Sequence, residues 1–306
     1  MNICVLGAGA IGGWIAARLA ADGHQVTALT SRGALDEIEV LEGSRTETVR
    51  LARFEGAADL LIITVKAPAL PSLAPALGDR IGPDTIAIPM LNGVPWWFVD
   101  GQPLASVDPQ GSIAAALPIE QVVGCVVHAS CYRTAGKVVV KHADKLILGE
   151  PRGGAGERVE RLCALFETAG IRCEASDNVR RAIWYKLWGN ATINPLSALT
   201  RATADKILAD AECRAWMLEG MAELAAIGAA IGCPISESGE DRMKVTARLG
   251  AFKTSMLQDV EAKRPIELEA LVGAPREIAR RFGIATPALD RLYGVTRLMA
   301  ESLGLN

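Results

Sequence analysis

The sequence has few of the residues that metal centres and disulfide-rich folds require. It contains three histidines and seven cysteines in 306 residues, and no Cys-x-x-Cys pair occurs. Because no two histidines are closely spaced, the ligand pattern of a zinc site is lacking, and we expect no metal. An odd number of scattered cysteines indicates reduced thiols, as in a cytoplasmic protein.

Two further absences exclude other classes of function. The formal net charge is -3, so the basic face of a nucleic-acid-binding protein is lacking. No uncharged apolar run reaches about 18 residues, the length that a membrane span needs, and we expect no membrane partner. Met1 leads directly into the first predicted strand, which leaves no room for a signal peptide and favours a cytoplasmic location.

The first half of the chain alternates apolar strands with helical segments. Continuous apolar runs are typical of parallel strands that helices cover on both faces. Three later segments alternate or are β-branched and predict an antiparallel extension of this sheet, before a last short strand at Ile171–Glu174. The predicted parallel strands are Ile3–Leu6, Gln25–Leu29, Leu60–Val65 and Thr85–Ile88, and the predicted antiparallel strands are Val122–Tyr132, Gly136–Val140 and Leu146–Leu148.

The pattern changes near Asp177, after which only helical segments follow. Apolar side chains recur there with helical spacing, and glycines and prolines separate the segments. The sequence therefore predicts an α/β fold, with an N-terminal Rossmann-type dinucleotide-binding domain at residues 1–177 and a C-terminal all-α domain at residues 178–306. The predicted helices are Asn178–Ile193, Asp205–Gly228, Glu240–Glu261, Ile266–Phe282 and Pro287–Ser302.

A glycine-rich motif follows the first predicted strand directly. Its six residues are Gly7, Ala8, Gly9, Ala10, Ile11 and Gly12. A strand, Gly-x-Gly-x-x-Gly and a helix in this order form the dinucleotide-binding fingerprint, in which Gly7 permits the tight turn, Gly9 lets the backbone approach a pyrophosphate and Gly12 lets helix and strand pack closely. Because the N–H groups that open the helix bind phosphates, we predict these six residues as cofactor-binding. A purely structural turn is the alternative.

The end of the second predicted strand indicates which dinucleotide is bound. NAD-binding proteins usually carry a carboxylate there for the ribose 2′-hydroxyl. This chain instead has Thr30, Ser31 and Arg32, and its first acid is Asp36. A guanidinium suits a 2′-phosphate, which a carboxylate would repel. Arg32 therefore favours NADP(H) as the cofactor, against the alternative of a solvated loop arginine.

Catalytic candidates occur on the first predicted helix of the second half. Lys186, Asn190 and Asn194 are spaced four residues apart and share one face. Trp184 and Trp188 are among the apolar residues on the remaining surface, which suggests that the helix is largely enclosed. A lysine and two amides are costly to enclose unless they are paired, so a functional face is one interpretation. An exposed polar stripe beside a buried face is the other.

Further polar residues are candidates by position. Ser255 and Asp259 are four residues apart on a predicted helix, and Glu267 follows a proline that breaks or kinks it. Asn92 and Lys66 each follow a predicted parallel strand, where loops form the ligand crevice of a doubly wound sheet. A simple turn at Asn92 and a surface cation at Lys66 explain these two residues equally well.

The ordered set of motifs resembles the ketopantoate reductase family, within the 6-phosphogluconate-dehydrogenase-like superfamily, over nearly the whole chain. The shared positions, in family order, are Gly7–Gly12, Lys66, Asn92-Gly93, Lys186, Asn190, Asn194-Pro195, Ser255, Asp259 and Glu267. The resemblance implies NADPH-dependent reduction of a small-molecule 2-oxo acid to a 2-hydroxy acid. Its first candidate substrate is 2-dehydropantoate (ketopantoate), which becomes pantoate.

The resemblance also implies roles for these residues. It makes Lys186 the general acid and assigns substrate binding to Asn190, Asn194, Ser255 and Asn92. Lys66 and Asn92 would also bind the cofactor, and Glu267 would act at the cofactor or position the catalytic group. The chemistry of Lys186 agrees, because an ammonium stabilises the negative charge that grows on a carbonyl oxygen and can donate its proton.

Two departures from the family pattern leave the substrate open. Leu91 stands where family members often carry Gln, and Leu271-Val272-Gly273-Ala274 stands where many carry Asn-Gly. A related NADP-dependent dehydrogenase for another 2-oxo acid is therefore one alternative, and a non-catalytic NADPH-binding sensor is another. The apolar helical faces would permit a homodimer, although core burial explains them equally well.

Overall fold

The computed structural model describes residues 1–101 and 103–305. The chain forms two compact units. The first contains Met1–Val65, Ala69–Leu91 and Ser112–Ala182, and the second contains Lys66–Pro68, Asn92–Gly111 and Ile183–Asn306. Two short segments from the first half thus belong to the second unit, which a single boundary after residue 177 does not describe.

The strands of the described residues all lie in the first unit. They are β1 (Asn2–Leu6), β2 (Gln25–Thr30), β3 (Gly33–Ala34), β4 (Glu37–Glu42), β5 (Arg45–Arg50), β6 (Leu60–Ile63), β7 (Ile86–Pro89), β8 (Gly124–Thr134), β9 (Lys137–Gly149) and β10 (Cys173–Ala175). The α-helices are α1 (Ala10–Ala21), α2 (Leu70–Leu73), α3 (Ser112–Ala116), α4 (Glu157–Thr168), α5 (Val179–Thr200), α6 (Ala204–Ala209), α7 (Ala211–Ala230), α8 (Gly239–Ala247), α9 (Ser255–Glu261), α10 (Ala274–Arg281) and α11 (Pro287–Leu303). Short 3-10 turns occur at Ala67–Ala69, Ala74–Arg80 and Ile119–Gln121, and a π-helical turn occurs at Glu269–Gly273.

The first sheet carries the glycine motif at the end of its central strand. Its strand order is β3-β2-β1-β6-β7. β1 lies parallel to β2 and β6, and β6 lies parallel to β7, whereas the short β3 is antiparallel to β2. β6 is buried along its whole length, as a strand covered on both faces must be. This parallel order, with α1 directly after β1, is that of the predicted Rossmann-type fold.

The second sheet has the order β10-β9-β4-β5, with β8 paired to β9. The predicted antiparallel extension of the first sheet is therefore wrong, because β8 and β9 belong to a separate sheet. β4 and β5 are absent from the prediction, because β5 is charged and largely exposed and the glutamates of β4 interrupt its apolar residues, so neither strand forms an apolar run. The polar stretch at 141–145 divides β9 in the prediction, but the strand is continuous because it pairs with β8 along most of its length.

The apolar core of the first unit includes residues from both sheets and from the helices beside them. Trp14 and Ile15 of α1, Val5 of β1, Val138 of β9 and Phe166 of α4 are among its buried members. These side chains remove α1 and the end of β1 from water together, so burial stabilises both elements that flank the glycine motif. The motif is therefore held between two well-packed elements.

The described residues after 177 form only helices and connecting segments, as predicted, and the fold class is confirmed. Two long predicted helices are divided, however, and a third contains a π-helical turn. Asp205–Gly228 is divided between α6 and α7 at Asp210, whose carboxylate accepts a backbone N–H of α7 at 2.8 Å. Glu240–Glu261 is divided between α8 and α9, and Ile266–Phe282 contains the π-helical turn followed by α10.

α5 is longer than predicted, because it continues through Pro195. Proline lacks an N–H and its ring crowds the preceding turn, so it usually ends a helix. Here residues 191–198 are all buried, and their packing offsets the missing hydrogen bond. Trp184 and Trp188 are buried as predicted, and their indole N–H groups donate to backbone carbonyls of α7 at 3.1 and 2.8 Å.

Two further findings concern residues 1–101 and 103–305. No cluster of three or more histidine, cysteine, aspartate or glutamate side chains is arranged to hold a metal ion there. None of the helices in these ranges combines the length and the apolar character that crossing a membrane requires.

Candidate active site

The glycine motif lies between β1 and α1 of the first unit. Gly7 has a φ of +95°, which L side chains rarely adopt, and a Cβ there would overlap Val65. A Cβ at Gly12 would overlap the Thr64 hydroxyl, so glycine lets α1 approach the end of β6. At Gly9 the nearest described atom to a Cβ, apart from those of the adjacent residues, would be the Gly7 carbonyl oxygen, at 3.8 Å. The motif thus provides the turn, the close packing and the open backbone that a dinucleotide requires.

Two side chains that the sequence did not single out hold this loop. Thr64 Oγ1 donates to the Gly7 carbonyl oxygen at 2.7 Å, and the Arg133 guanidinium donates to the Ala8 carbonyl oxygen at 2.8 Å. The N–H groups of Gly7 and Ala8 both donate to the Leu29 carbonyl oxygen, at 2.9 and 2.8 Å. The loop is therefore fixed from three sides. Thr64 carries one signal in the sequence, a hydroxyl near the end of an apolar strand, whereas Arg133 carries none.

The turn after β2 is also braced. The Thr30 hydroxyl accepts the Arg32 N–H at 3.1 Å and donates to the Gly33 carbonyl oxygen at 2.9 Å, so it is used within the turn. Arg32 itself is exposed. Asp36, the first acid after the strand, pairs with Arg53 at 2.7 Å. Together with the first N–H groups of α1, the Arg32 guanidinium offers donors that fit the phosphates of a dinucleotide.

In the second unit, α5 carries the predicted polar stripe. Lys186 and Asn190 are half-buried and Asn194 is only 4% exposed, so the alternative of an exposed polar stripe is wrong. Within the described parts of the chain, the side-chain amides of Asn190 and Asn194 make no hydrogen bond. Each amide can donate two hydrogen bonds and accept two, and this capacity is what a polar ligand needs.

Six side chains of the second unit form one polar cluster: Lys66, Asn92, Lys186, Asp259, Arg264 and Glu267. Lys186 Nζ donates to Asn92 Oδ1 at 3.2 Å, and Asn92 Nδ2 donates to Glu267 Oε2 at 3.2 Å. Lys66 Nζ contacts Glu267 Oε2 at 3.3 Å and Asp259 Oδ2 at 2.5 Å. Arg264 Nε donates to Asp259 Oδ1 at 3.0 Å. Four predicted site residues are thus connected with Asp259, and Arg264 is the member that the sequence did not single out.

Glu267 connects the two sides of the polar cluster. It is 5% exposed, and it accepts from Lys66 and Asn92 on one oxygen and from the Ala67 N–H, at 3.3 Å, on the other. Burial alone would lower the pKa of Lys66, but the negative charges of Glu267 and Asp259 outweigh it and raise that pKa above its ordinary value. Lys66 is therefore firmly cationic at neutral pH and bound by two carboxylates.

Asp259 is 2% exposed, and each of its oxygens binds a protein cation, Lys66 on one side and Arg264 on the other. The sequence makes Asp259 a candidate by position and does not distinguish a catalytic from a structural role. These contacts fit a structural role, because both carboxylate oxygens are engaged by side-chain cations of the same unit.

Ser255 has a different environment, since it opens α9 and is exposed. The preceding Thr254 caps α9 by accepting a backbone N–H at 3.2 Å, and its hydroxyl also contacts the buried hydroxyl of Ser197 on α5. Ser197 donates in turn to the Asn194 carbonyl oxygen at 2.9 Å. Ser255 thus directly follows Thr254, which is connected through Ser197 to the carbonyl group of Asn194. Among the described residues, no side-chain hydrogen bond joins Ser255 to the polar cluster.

Asn92 is positioned by the turn that it shares with Gly93. Gly93 has a φ of +84°, and a Cβ there would overlap the backbone of Ala270. The Val94 N–H donates to the Ala270 carbonyl oxygen at 2.8 Å. Ala270 lies in the π-helical turn Glu269–Gly273, a geometry that is frequent at functional sites. This close approach of two backbones fixes where the Asn92 side chain enters the polar cluster.

Gly93→Ala is expected to lower both stability and turnover. A left-handed φ costs an L residue about 1–2 kcal/mol, and the new methyl group must also move Ala270 or Asn92. Gly101→Ala is the matched control, because Gly101 has a φ of +98° and no described atom within 4 Å of an added Cβ. Thermal unfolding should reveal strain in both variants, whereas kcat should fall about tenfold or more in Gly93→Ala alone. Equal kcat values for the two variants would contradict the positioning role of this turn.

Family models and relatives match both halves of the chain. The model described as ketopantoate reductase PanE/ApbA matches residues 3–153, and the model of its C-terminal part matches residues 178–300. A 2-dehydropantoate 2-reductase of Mesorhizobium japonicum is 37% identical over an alignment of 328 positions, which covers 99% of each chain. The chain belongs to the ketopantoate reductase family. The resemblance that the sequence motifs indicate is confirmed.

Solved structures agree with this membership. A protein of Ralstonia solanacearum MolK2, whose name assigns it provisionally to the ketopantoate reductases, is 46% identical with a TM-score of 0.94, over 100% of this chain and 99% of that one. A 2-dehydropantoate 2-reductase of Geobacter metallireducens GS-15 is 26% identical with a TM-score of 0.85, over 98% and 100% of the two chains. This ketopantoate reductase family member is therefore an oxidoreductase that acts on CH–OH groups with a nicotinamide dinucleotide.

Proposed function

We propose that this protein reduces a 2-oxo acid with NADPH, that its substrate is 2-dehydropantoate, and that Lys186 is the general acid. The connection from Lys186 through Asn92 to the buried Glu267 carries the proposal, because it fixes an ammonium on the face of α5 that also carries the amides of Asn190 and Asn194. The names of the Mesorhizobium and Geobacter relatives support the choice of substrate.

The side-chain amide of Asn92 orients the Lys186 ammonium. Asn92 Oδ1 accepts from Lys186, and Asn92 Nδ2 donates to Glu267, so the two ends of the amide have opposite roles. A carboxylate in place of this amide could not donate to Glu267. The amide therefore orients Lys186, and proton donation in the transition state depends on such positioning.

The charge balance of the polar cluster suits an anionic substrate. Lys66, Lys186 and Arg264 are cations, whereas Asp259 and Glu267 are carboxylates, so the cluster as a whole has one surplus positive charge. A 2-oxo acid carries a carboxylate, and its reduction develops further negative charge on the ketone oxygen. The surplus charge favours both, because positively charged groups stabilise the negative charge of the bound carboxylate and of the developing alkoxide.

The proton comes from this chain's own residues. When bound, the reduced nicotinamide supplies a hydride for C2 of the oxo acid. Lys186 donates a proton to the ketone oxygen, so the carbonyl gains one hydride and one proton and becomes a secondary alcohol. Glu267 keeps Asn92 and Lys66 in place during this step, and the resulting neutral amine of Lys186 regains its proton from water.

Substrate binding is assigned to neighbouring polar groups. Asn190 and Asn194 donate N–H groups to the oxo or carboxylate oxygens, and the Ser255 hydroxyl donates to the carboxylate. For the cofactor, the glycine motif holds the pyrophosphate and Arg32 holds the 2′-phosphate. Contacts of Lys66, Asn92 and Glu267 with the cofactor stay predictions, as do the homodimer and the cytoplasmic location.

A substrate panel tests the proposal. The purified protein is assayed with 2-dehydropantoate and with 2-oxo acids that differ in side chain, each with NADPH and with NADH, by loss of cofactor absorbance. We expect the highest kcat/KM with 2-dehydropantoate and NADPH. The departures at Leu91 and Leu271–Ala274 justify the panel, because faster turnover of another 2-oxo acid would replace the proposed substrate. NADPH binding without turnover of any 2-oxo acid would favour the sensor alternative.

A further inference from the structure

Arg264 belongs to the polar cluster, but the proposed chemistry uses only its charge and gives its contacts no task. It lies just beyond α9, where its backbone N–H donates to the Asp259 carbonyl oxygen at 2.9 Å and its Nε donates to Asp259 Oδ1 at 3.0 Å. The other oxygen of this carboxylate binds Lys66 Nζ at 2.5 Å. The buried Asp259 therefore divides its two oxygens between two cations.

Lys66 likewise contacts two carboxylates, those of Asp259 and Glu267. Its Nζ lies 2.5 Å from Asp259 Oδ2 and 3.3 Å from Glu267 Oε2, so the contact with Asp259 is already the closer one. An uncompensated carboxylate oxygen is costly to bury, and without Arg264 the second oxygen of Asp259 would lack its cation. Lys66 already binds the other oxygen of Asp259. It would therefore move towards the oxygen that Arg264 no longer binds, and away from Glu267.

A displaced Lys66 would affect the catalytic lysine through the same contacts. Glu267 Oε2 accepts from both Lys66 and Asn92, and Asn92 Oδ1 accepts from Lys186. Loss of the Lys66 contact would free Glu267 to shift, and Asn92 would shift with it. Arg264 is about half-exposed and binds Asp259, not Glu267, Asn92 or Lys186, so it affects the positions of these three side chains through Asp259.

We propose that Arg264 is a positioning residue of the reductase site. By binding one oxygen of Asp259, it keeps Lys66 shared with Glu267 and thereby holds Asn92 and Lys186 in the geometry for proton donation. The proposal rests on the proposed function only for its kinetic consequence, because the position of Lys66 is a structural matter that holds for any activity.

The kinetic test compares Arg264→Gln with Arg264→Lys and with the control Arg291→Gln. Arg291 is an exposed arginine of the same unit that pairs with Glu219 at 2.9 Å. We expect Arg264→Gln to lower kcat about tenfold, less than the roughly 10²-fold that a misplacement of about 1 Å can cause. Arg264→Lys should recover part of this loss because it keeps the charge, and Arg291→Gln should leave kcat unchanged. An unchanged kcat in Arg264→Gln would overturn the proposal.

A double-mutant cycle separates positioning from a general loss of stability. In an Asp259→Asn background there is no buried carboxylate for Arg264 to share, so adding Arg264→Gln should change kcat by less than about twofold. A full tenfold loss in that background would show that Arg264 acts by another route, and the proposal would be wrong.

A crystal structure of Arg264→Gln gives a readout that needs no activity. We expect the distance from Lys66 Nζ to Glu267 Oε2 to lengthen beyond about 4 Å, the limit of an ion pair. A contact that stays at its present 3.3 Å would overturn the proposal, whatever the kinetics. If the wild-type protein turns over no 2-oxo acid, the proposed function fails, while this distance still decides the role of Arg264.

Discussion

Lys186→Ala is expected to lower kcat for 2-oxo acid reduction by about 10²-fold or more, the scale for losing a positioned general acid. The substitution removes the ammonium that Asn92 orients, so the alkoxide loses both its proton donor and its nearest proposed cation. Affinity for NADPH should stay close to that of the wild type, because Lys186 is not among the predicted cofactor contacts. Steady-state kinetics and a fluorescence titration with NADPH measure the two quantities separately.

Two further variants test whether the loss of kcat is specific to the Lys186 ammonium. Lys244→Ala removes an exposed lysine of the same unit that pairs with Asp241 at 2.8 Å, and it should leave kcat within about twofold of the wild type, as surface substitutions usually do. Lys186→Arg keeps the positive charge, but a guanidinium does not give up its proton in proteins, so we expect it to remain slow. Near-normal turnover of Lys186→Ala would remove Lys186 from the mechanism, and full activity of Lys186→Arg would assign it a purely electrostatic role.

The features that the sequence predicted are those encoded over short stretches of chain. The spacing of Gly7, Gly9 and Gly12 after an apolar strand specifies a turn, an open backbone and a close contact, and all three occur. The four-residue spacing of Lys186 and Asn190 likewise requires only that the segment be helical. Periodicity also predicted the all-α second half, because each helix has its own apolar face to bury.

The features that the sequence did not predict depend on contacts between distant residues. Arg133 binds the Ala8 carbonyl oxygen across 125 residues of chain, and Lys66 pairs with Asp259 across 193. No local pattern identifies such partners, since an arginine on a strand or after a helix is usually solvated. The continuation of α5 through Pro195 has the same origin, because burial by tertiary packing overrides a local helix-breaking preference.

Arg32→Ala is expected to weaken NADPH binding much more than NADH binding. A hydrogen bond to a charged group contributes about 1.5–3 kcal/mol, which corresponds to roughly 10- to 100-fold in Kd. NADH lacks the 2′-phosphate, so its Kd should change little. The bracing of the β2 turn by the Thr30 hydroxyl makes Arg32 a well-placed donor, because less backbone freedom is lost when the phosphate binds. Titration of each cofactor at fixed ionic strength measures the ratio.

A control variant and a charge reversal test whether the preference for NADPH over NADH depends on Arg32. Arg45→Ala removes an exposed arginine of β5 in the same unit, and it should change both affinities equally and slightly. Arg32→Asp places a carboxylate where NAD-binding proteins usually have one, so it should repel the 2′-phosphate and reverse the preference towards NADH. Because Asp36 already pairs with Arg53, the native turn offers no such carboxylate from its first acid. Equal losses of NADPH and NADH affinity in Arg32→Ala would mean that this arginine does not distinguish the two cofactors.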